Sequence, residues 1–369
     1  MSKDLMPPLG ILVLVAAAGP VAADSIPDEQ VLFKVGDGGY HTYRIPSLIV
    51  TNGGVLLAFC EGRKSGRGDT GDIDLVLKRS RDGGKTWDKT QVVWDDADNT
   101  CGNPCPVVDR NTGTLWLLMT HNLRGDTEEK IVGGTSKGSR TVWVTKSTDD
   151  GATWDRPVDI TKDVKKPEWT WYATGPGVGI QLKSGRLLVP CDHKADGGKV
   201  RQSHVIFSDD AGKSWKLGGV VGPRCNECQA VELADGAVML NMRSFQGNNR
   251  RLVAVSSDGG ETFSKPADDA VLVEPVCQAS ILRAPGEKGG IIFSNPASTR
   301  REKMTVRLST DDGKTWPHAR VLSDGPAAYS CLAVLPDGRI GCLYERGTKD
   351  PYEEIVLARF SREWLVAGK

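Results

Sequence analysis

The chain contains five copies of one octapeptide, and this repeat limits the folds it can adopt more than any other feature. The copies share the pattern Ser-x-Asp-x-Gly-x-Thr/Ser-aromatic and occupy residues 80–87, 147–154, 208–215, 256–263 and 309–316. An Asp side chain can accept hydrogen bonds from N–H groups two or three residues on, and Gly tolerates a positive φ. Each copy therefore predicts a tight turn between two strands, with its Asp capping the turn. Successive copies begin 48 to 67 residues apart, about the length of a four-stranded propeller blade.

Short β-rich segments fill the intervals between the octapeptides. Examples are residues 55–59, 115–119 and 238–241, and Asn-Gly, Asp-Gly and Ser-Gly pairs between such segments suit tight hairpins. The sequence thus predicts an all-β fold without long amphipathic helices. We expect the last strand, Glu354–Phe360, to pair with a segment near the N-terminus, because an open propeller leaves strand edges exposed.

The first residues have the pattern of a signal peptide. Residues 1–23 combine a Lys-containing start, an apolar run and a Val-Ala-Ala end with the small residues that signal peptidase requires. The apolar run is shorter than the ~20 residues that span a bilayer, so we expect no membrane insertion. The sequence predicts an exported protein, secreted or periplasmic, whose residues 24–369 form one domain.

The balance of charge argues against nucleic acid as a binding partner. The chain has 47 basic and 47 acidic residues, which gives no basis for binding nucleic acid through a global positive field.

The nine cysteines are an odd number, so at least one thiol is unpaired. Cys225 and Cys228 have the spacing of a redox or half-zinc motif, but no second matching pair and no adjacent βαβ pattern is present, which favours a disulfide or two free thiols beside the active site. No metal-ligand or phosphate-loop motif is present, and we expect a monomer without a cofactor.

The octapeptides resemble the Asp boxes of the sialidase (neuraminidase) superfamily, and the segment around Arg44-Ile45-Pro46 resembles that family's Arg-Ile-Pro motif. The resemblance covers nearly all of residues 24–369 and implies a six-bladed β-propeller. It also implies a glycoside hydrolase, an exo-α-sialidase that removes terminal sialic acids from sialylated glycans with retention. Arg44, Arg243 and Arg307 match the three arginines that bind the substrate carboxylate, a group that guanidinium binds with planar, paired hydrogen bonds.

The Gly-rich loop that carries Asp69 resembles the family's acid/base loop. The resemblance implies that Asp69 protonates the leaving oxygen and later activates water. Asp72 and Asp74 are alternatives, although both adjoin a predicted strand, where anchoring of the loop is their expected role. Arg63 matches a further arginine that contacts the substrate.

Tyr329 matches the family's nucleophile, and Glu227 matches the general base that takes its proton. A phenol with a pKa near ~10 is a weak nucleophile unless a neighbour accepts its proton. A neutral phenol also avoids the repulsion that a carboxylate nucleophile would meet at a carbon bearing the sialic acid carboxylate. Glu345 matches the carboxylate that orients Arg44.

Each of these assignments has an alternative. Any one arginine is by itself an ordinary surface charge, Tyr329 fits a packed strand aromatic, and Glu345 fits an edge charge. Aromatic residues 169–172 either border the pocket or pack in the core. For the whole chain the alternatives are a non-catalytic glycan-binding propeller, a trans-sialidase, including an intramolecular one, and a hydrolase of a related acidic sugar such as deaminated sialic acid.

Overall fold

The computed structural model describes residues 27–286 and 289–367, and these residues form mainly antiparallel strands. The predicted signal peptide, residues 1–23, lies outside the described residues. The strands are β1 (Asp28–Lys34), β2 (Thr42–Val50), β3 (Leu56–Arg63), β4 (Ile73–Ser80), β5 (Gln91–Trp94), β6 (Thr100–Val108), β7 (Leu115–Asn122), β8 (Thr141–Ser147), β9 (Val158–Asp159), β10 (Tyr172–Thr174), β11 (Ile180–Gln181), β12 (Leu187–Ala195), β13 (Val200–Ser208), β14 (Lys216–Val221), β15 (Cys225–Glu232), β16 (Val238–Ser244), β17 (Arg250–Ser256), β18 (Ala267–Val273), β19 (Ser280–Ala284), β20 (Gly290–Pro296), β21 (Glu302–Ser309), β22 (His318–Val334), β23 (Ile340–Arg346) and β24 (Glu354–Phe360). The helices are α1 (Glu128–Val132), α2 (Thr161–Val164) and α3 (Arg362–Ala367), with 3₁₀ turns at Asp37–Gly39 and Asp196–Gly198.

Strands that follow one another in the chain pair with one another, as the repeat predicts. The strand orders are β2-β3-β4-β6-β7-β8-β9 with β5 on β4, β10-β12-β13-β14 with β11 on β12, β15-β16-β17-β18, and β1-β24-β23-β22-β21-β20-β19. β4 and β6 share a single parallel bridge, between Ile73 and Thr100. β22 pairs with two strands: its first half pairs with β21 and its second half pairs with β23.

The predicted pairing of the last strand is confirmed. β24 has the predicted bounds, and it pairs antiparallel with β1 from Asp28 opposite Arg359 to Lys34 opposite Glu354. Strands of different pairing groups also touch: β2 contacts β22, β12 contacts β6 and β15, and β19 contacts β15. The hydrophobic core lies between neighbouring groups, as where Leu48 of β2 packs with Leu343 of β23 and Leu357 of β24.

The Asp side chains cap the octapeptide turns, as the sequence predicts, but in the second copy the N–H that Asp149 binds lies four residues on rather than two or three. In the second copy, Ser147 Oγ donates to Asp149 at 2.7 Å and accepts from the N–H of Gly151 at 2.9 Å. Asp149 accepts from the N–H and hydroxyl of Thr153 at 2.9 and 2.6 Å. These bonds, with the Thr153 hydroxyl contributing most, lower the pKa of Asp149 to about 2. The aromatic residue that ends this copy, Trp154, packs edge-on against Phe59 of β3, 5.7 Å between ring centroids.

All nine cysteines lie within the described residues as buried free thiols, so neither Cys225 nor Cys228 takes part in a disulfide. The described residues contain no group of three or more His, Cys, Asp or Glu side chains placed to hold a metal ion. Among the residues that the structure describes, no helix is both long enough and apolar enough to cross a membrane.

Candidate active site

One cavity of about 480 Å³ collects most of the site residues that the sequence singles out. Six of them line it: Arg44, Arg63, Asp69, Glu227, Arg243 and Tyr329. They come from β2, β3, the β3–β4 loop, β15, β16 and β22. A larger and more open depression of about 840 Å³ lies among the octapeptide turns, but it contains none of these residues. The chemistry is therefore concentrated away from the turns.

Tyr329, Glu227 and Arg243 form a hydrogen-bonded group in the cavity wall. The Tyr329 hydroxyl donates to Glu227 Oε1, and Arg243 Nη1 donates to Glu227 Oε2 at 2.6 Å and to the Tyr329 oxygen at 3.2 Å. Tyr329 is only 5% exposed. Burial and the negative charge of Glu227 raise the pKa of Tyr329 well above its ordinary value, although Arg243 opposes this. The phenol is therefore neutral at rest, with a carboxylate placed to receive its proton.

Asp69 lies at the mouth of the cavity, where its side chain is 59% exposed and forms an ion pair with Arg63, 2.9 Å between Oδ1 and Nη1. The surrounding cavity wall keeps part of the water away from Asp69 and so raises its pKa, but the charges of Arg63 and Arg44 outweigh this effect, and the net shift is downward. Glu61 holds Arg63 from the other side, with its Oε2 2.9 Å from Nε. Without a ligand, the arginines thus keep Asp69 ionised.

The two alternatives to Asp69 do not line the cavity. Asp72 and Asp74 both bind Lys64, at 2.9 and 3.1 Å, and Asp74 also accepts a hydrogen bond from Tyr40 at 2.6 Å. They anchor the loop that carries Asp69, which is the role that the sequence predicts for them.

Glu345 is fully buried, does not itself line the cavity, and contacts three of the residues that do. Its Oε1 accepts from Arg44 Nε at 2.8 Å and from the N–H of Ile45 at 2.9 Å, and its Oε2 accepts from the N–H of Tyr329 at 3.1 Å. Burial lowers the pKa of Arg44, but Glu345, Tyr352 and Tyr329 together outweigh it, and the net shift is upward. One carboxylate therefore fixes both Arg44 and the backbone at Tyr329.

The position of Arg307 differs from the sequence-based expectation. Arg307 does not line the cavity, and Arg301 does so instead. Arg301 immediately precedes β21, whereas Arg307 lies six residues further along that strand, which is about 20 Å at 3.3 Å per residue. Arg307 thus lies near Ser309, where the last octapeptide begins. Arg301 is 5.6 Å from the centroid of the Tyr329 ring and is the third arginine that the fold brings to Arg44 and Arg243.

Of the aromatic residues in the segment 169–172, one borders the cavity and two pack in the core. Trp171 lines the cavity, where the guanidinium of Arg140 lies 4.1 Å from its ring centroid. Trp169 instead stacks on the buried His193 ring at 3.5 Å, and Tyr172 is part of the core.

Several cavity residues have no signal in the sequence that would have identified them. Asp192 is 1% exposed, accepts a hydrogen bond from Asn226 at 2.6 Å, and has no partner for Oδ1 among the described residues. Burial raises the pKa of Asp192 well above its ordinary value, which favours the neutral acid, and the residue lines the cavity. Tyr352 and Arg140 also line the cavity, each brought there by strands or loops distant in sequence.

Comparison with known proteins gives consistent matches. Residues 54–342 match the family model for a BNR repeat-like domain. A sialidase of Micromonospora viridifaciens is 37% identical over 95% of this chain and 56% of its own length, and a sialidase of Bacteroides fragilis is 34% identical over 84% and 61%. The chain thus spans less than two thirds of these two relatives. Among solved structures, Hadza microbial sialidase Hz136 aligns with a TM-score of 0.81 and 30% identity, covering 90% of this chain and 68% of that one.

Proposed function

This chain belongs to the sialidase superfamily, and from that premise we propose that it is an exo-α-sialidase that hydrolyses terminal sialic acids of glycans with retention. One observation carries the proposal: a buried tyrosine hydroxyl donates to a carboxylate in a cavity whose lining places three arginines beside that tyrosine. Tyr329 and Glu227 are the pair, and Arg44, Arg243 and Arg301 are the arginines. This set combines a nucleophile, its base and a site for the substrate carboxylate.

The proposed first step forms a bond between Tyr329 and the sugar. With the substrate carboxylate among the arginines, the Tyr329 oxygen attacks the anomeric carbon while its proton passes to Glu227. The bond to the leaving oxygen breaks, and Asp69 gives that oxygen a proton. The arginines that keep Asp69 ionised also face the substrate carboxylate. The negative charge of that carboxylate offsets their positive charge, which raises the pKa of Asp69 and favours its protonated form.

The second step reverses the proton transfers. Asp69, now a carboxylate, takes a proton from water as the water attacks the anomeric carbon. The bond to Tyr329 breaks, and Glu227 returns the proton to the phenolate. Two displacements on the same carbon leave the product with the configuration of the substrate.

The test is release of a fluorophore from an aryl α-sialoside by wild type, Tyr329→Phe and Asp69→Ala, with proton NMR of the first anomer released. The wild type should release the α anomer, and Tyr329→Phe should lose turnover while it still binds sialic acid. Asp69→Ala should lower kcat about 100- to 10,000-fold on sialyllactose, and less on the aryl sialoside, whose leaving group needs no proton. Full turnover by folded Tyr329→Phe would exclude the tyrosyl intermediate.

We also propose that the strands form six blades of one propeller domain, residues 24–369. The strand pairing and the contacts between groups of strands support this arrangement. The six groups are β2–β5, β6–β9, β10–β14, β15–β18, β19 to the first half of β22, and the second half of β22 to β24 with β1. The signal-peptide pattern of residues 1–23 supports the further proposal that the protein is exported and that these residues are removed. We also propose that the exported protein is a monomer. N-terminal sequencing of protein from the culture medium tests the cleavage, and a mass from light scattering tests the monomer.

A further inference from the structure

Tyr352 contacts two of the cavity arginines, although nothing in the sequence singles it out. It lies in the loop between β23 and β24, is partly buried, and lines the cavity. The guanidinium of Arg44 lies 3.9 Å from the centroid of its ring. Its hydroxyl oxygen accepts a hydrogen bond from Arg301 Nη1 at 2.5 Å. One side chain therefore bridges two arginines that are far apart in the sequence.

The loop that presents Tyr352 is fixed by its own acidic residues. The Glu353 carboxylate accepts hydrogen bonds from the N–H groups of Thr348, Lys349 and Asp350 at 3.1, 2.9 and 3.0 Å. These bonds lower the pKa of Glu353 to about 2. Asp350 in turn accepts from the N–H of Tyr352 at 3.0 Å. These hydrogen bonds hold the backbone of the loop on both sides of Tyr352.

The chemical character of Tyr352 suits this place. Two guanidinium groups near one side chain repel each other, and each needs a partner once it is removed from water. The ring face attracts Arg44 through its quadrupole, and the hydroxyl accepts from Arg301. Both contacts are with a neutral group, so they leave the positive charge available to an incoming anion. A carboxylate at this position would instead compete with the substrate carboxylate.

We propose that Tyr352 is a positioning residue that holds Arg44 and Arg301 at the separation the substrate carboxylate requires. The proposal rests on the proposed function, since it concerns the same site. It separates two contributions: the ring acts through Arg44, and the hydroxyl acts through Arg301. Tyr352→Phe removes the second contribution only, and Tyr352→Leu removes both.

The test measures KM and kcat on an aryl α-sialoside, and the dissociation constant of methyl α-sialoside by calorimetry. Tyr352→Phe should raise both KM and the dissociation constant about tenfold, the typical loss for one hydrogen bond to a charged group, with a smaller change in kcat. Tyr352→Leu should raise them further. For the 1-carboxamide of the same sugar, which lacks the charge, the change in dissociation constant should be much smaller.

Tyr344→Phe is the matched control. Tyr344 lies outside the cavity, and its hydroxyl oxygen also accepts from an arginine, Arg346, at 3.3 Å. This control should leave KM unchanged. Because the Tyr352 hydroxyl acts through Arg301, adding Tyr352→Phe to Arg301→Lys should change KM little beyond the single Arg301→Lys variant.

Three results would overturn the proposal: an unchanged KM in Tyr352→Phe, an equal loss for acid and carboxamide, or full additivity with Arg301→Lys. Calorimetry separates the proposal from the proposed function. If the wild type binds methyl α-sialoside but does not hydrolyse it, the proposed hydrolysis fails while a tenfold weaker binding by Tyr352→Phe still supports the positioning role. A wild type that does not bind the sugar overturns both.

Discussion

Replacing Glu345 with Gln should destabilise the protein strongly, because this buried carboxylate holds two parts of the cavity together. Gln keeps the shape but turns an NH₂ group toward one of three donors: Arg44 Nε, the Ile45 N–H or the Tyr329 N–H. It also leaves Arg44, 6% exposed, without its countercharge. Breaking a buried ion pair costs about 3–5 kcal/mol, and an unpaired buried N–H adds to that cost. We expect the free energy of unfolding to fall by at least about 3 kcal/mol.

Urea unfolding followed by tryptophan fluorescence measures this loss. The matched control is Asp98→Asn, which breaks an ion pair with Arg124 whose side chains are 54% and 65% exposed. Exposed pairs contribute about 0–1 kcal/mol, so this control should remain close to wild type. Comparable losses in the two variants would refute the reasoning. If Glu345→Gln stays folded, its KM should also rise, because Arg44 is no longer held.

Two further predictions concern the third arginine and acid stability. Arg301→Lys should raise KM for a sialoside, because one ammonium replaces a planar fork, whereas Arg307→Lys should leave KM unchanged; the opposite pattern would show that Arg307 binds the carboxylate. Burial lowers the pKa of His193, which faces His204, from 6.5 to about 4. The unfolded chain therefore binds a proton that the folded chain excludes, so stability falls as pH drops from about 6.5 to about 4. Unfolding experiments between about pH 7 and pH 4.5 should give a flatter loss for His193→Gln, and an equal slope would contradict the assignment.

The octapeptide turns could be predicted because their chemistry is local. The Ser and Asp side chains bond to groups no more than four residues on, so the turn needs no information from the rest of the chain. The bounds of β24 follow likewise from its own apolar run. Motifs of this kind also identify the family, and the resemblance to that family selects Asp69, Glu227 and Tyr329. The structure brings these three residues together in one cavity.

The sequence pattern selects Arg307, whereas the structure places Arg301 in the cavity. This difference shows that a local pattern does not contain the orientation of a strand in the fold. Both arginines adjoin or belong to β21, and choosing between them requires knowing which end of that strand faces the cavity. The octapeptide that begins at Ser309 follows β21, so a residue two positions before it lies at the turn end, away from the cavity. Tyr352 and Asp192 could not be found in this way, because their roles depend on contacts between segments distant in sequence.

The pairing of β1 with β24 affects how the chain can reach its final structure during synthesis. Most other strands pair with near neighbours in the sequence, so those sheets can form as the chain emerges from the ribosome. β1 is synthesised early, but its partner strand is complete only when residue 360 has been added, 326 residues after β1 ends (360 − 34). Until then its edge is unpaired and open to a strand from another molecule. Protein yield should therefore depend on how fast translation of the last residues is completed, and a factor that shields β1 during that interval should increase it.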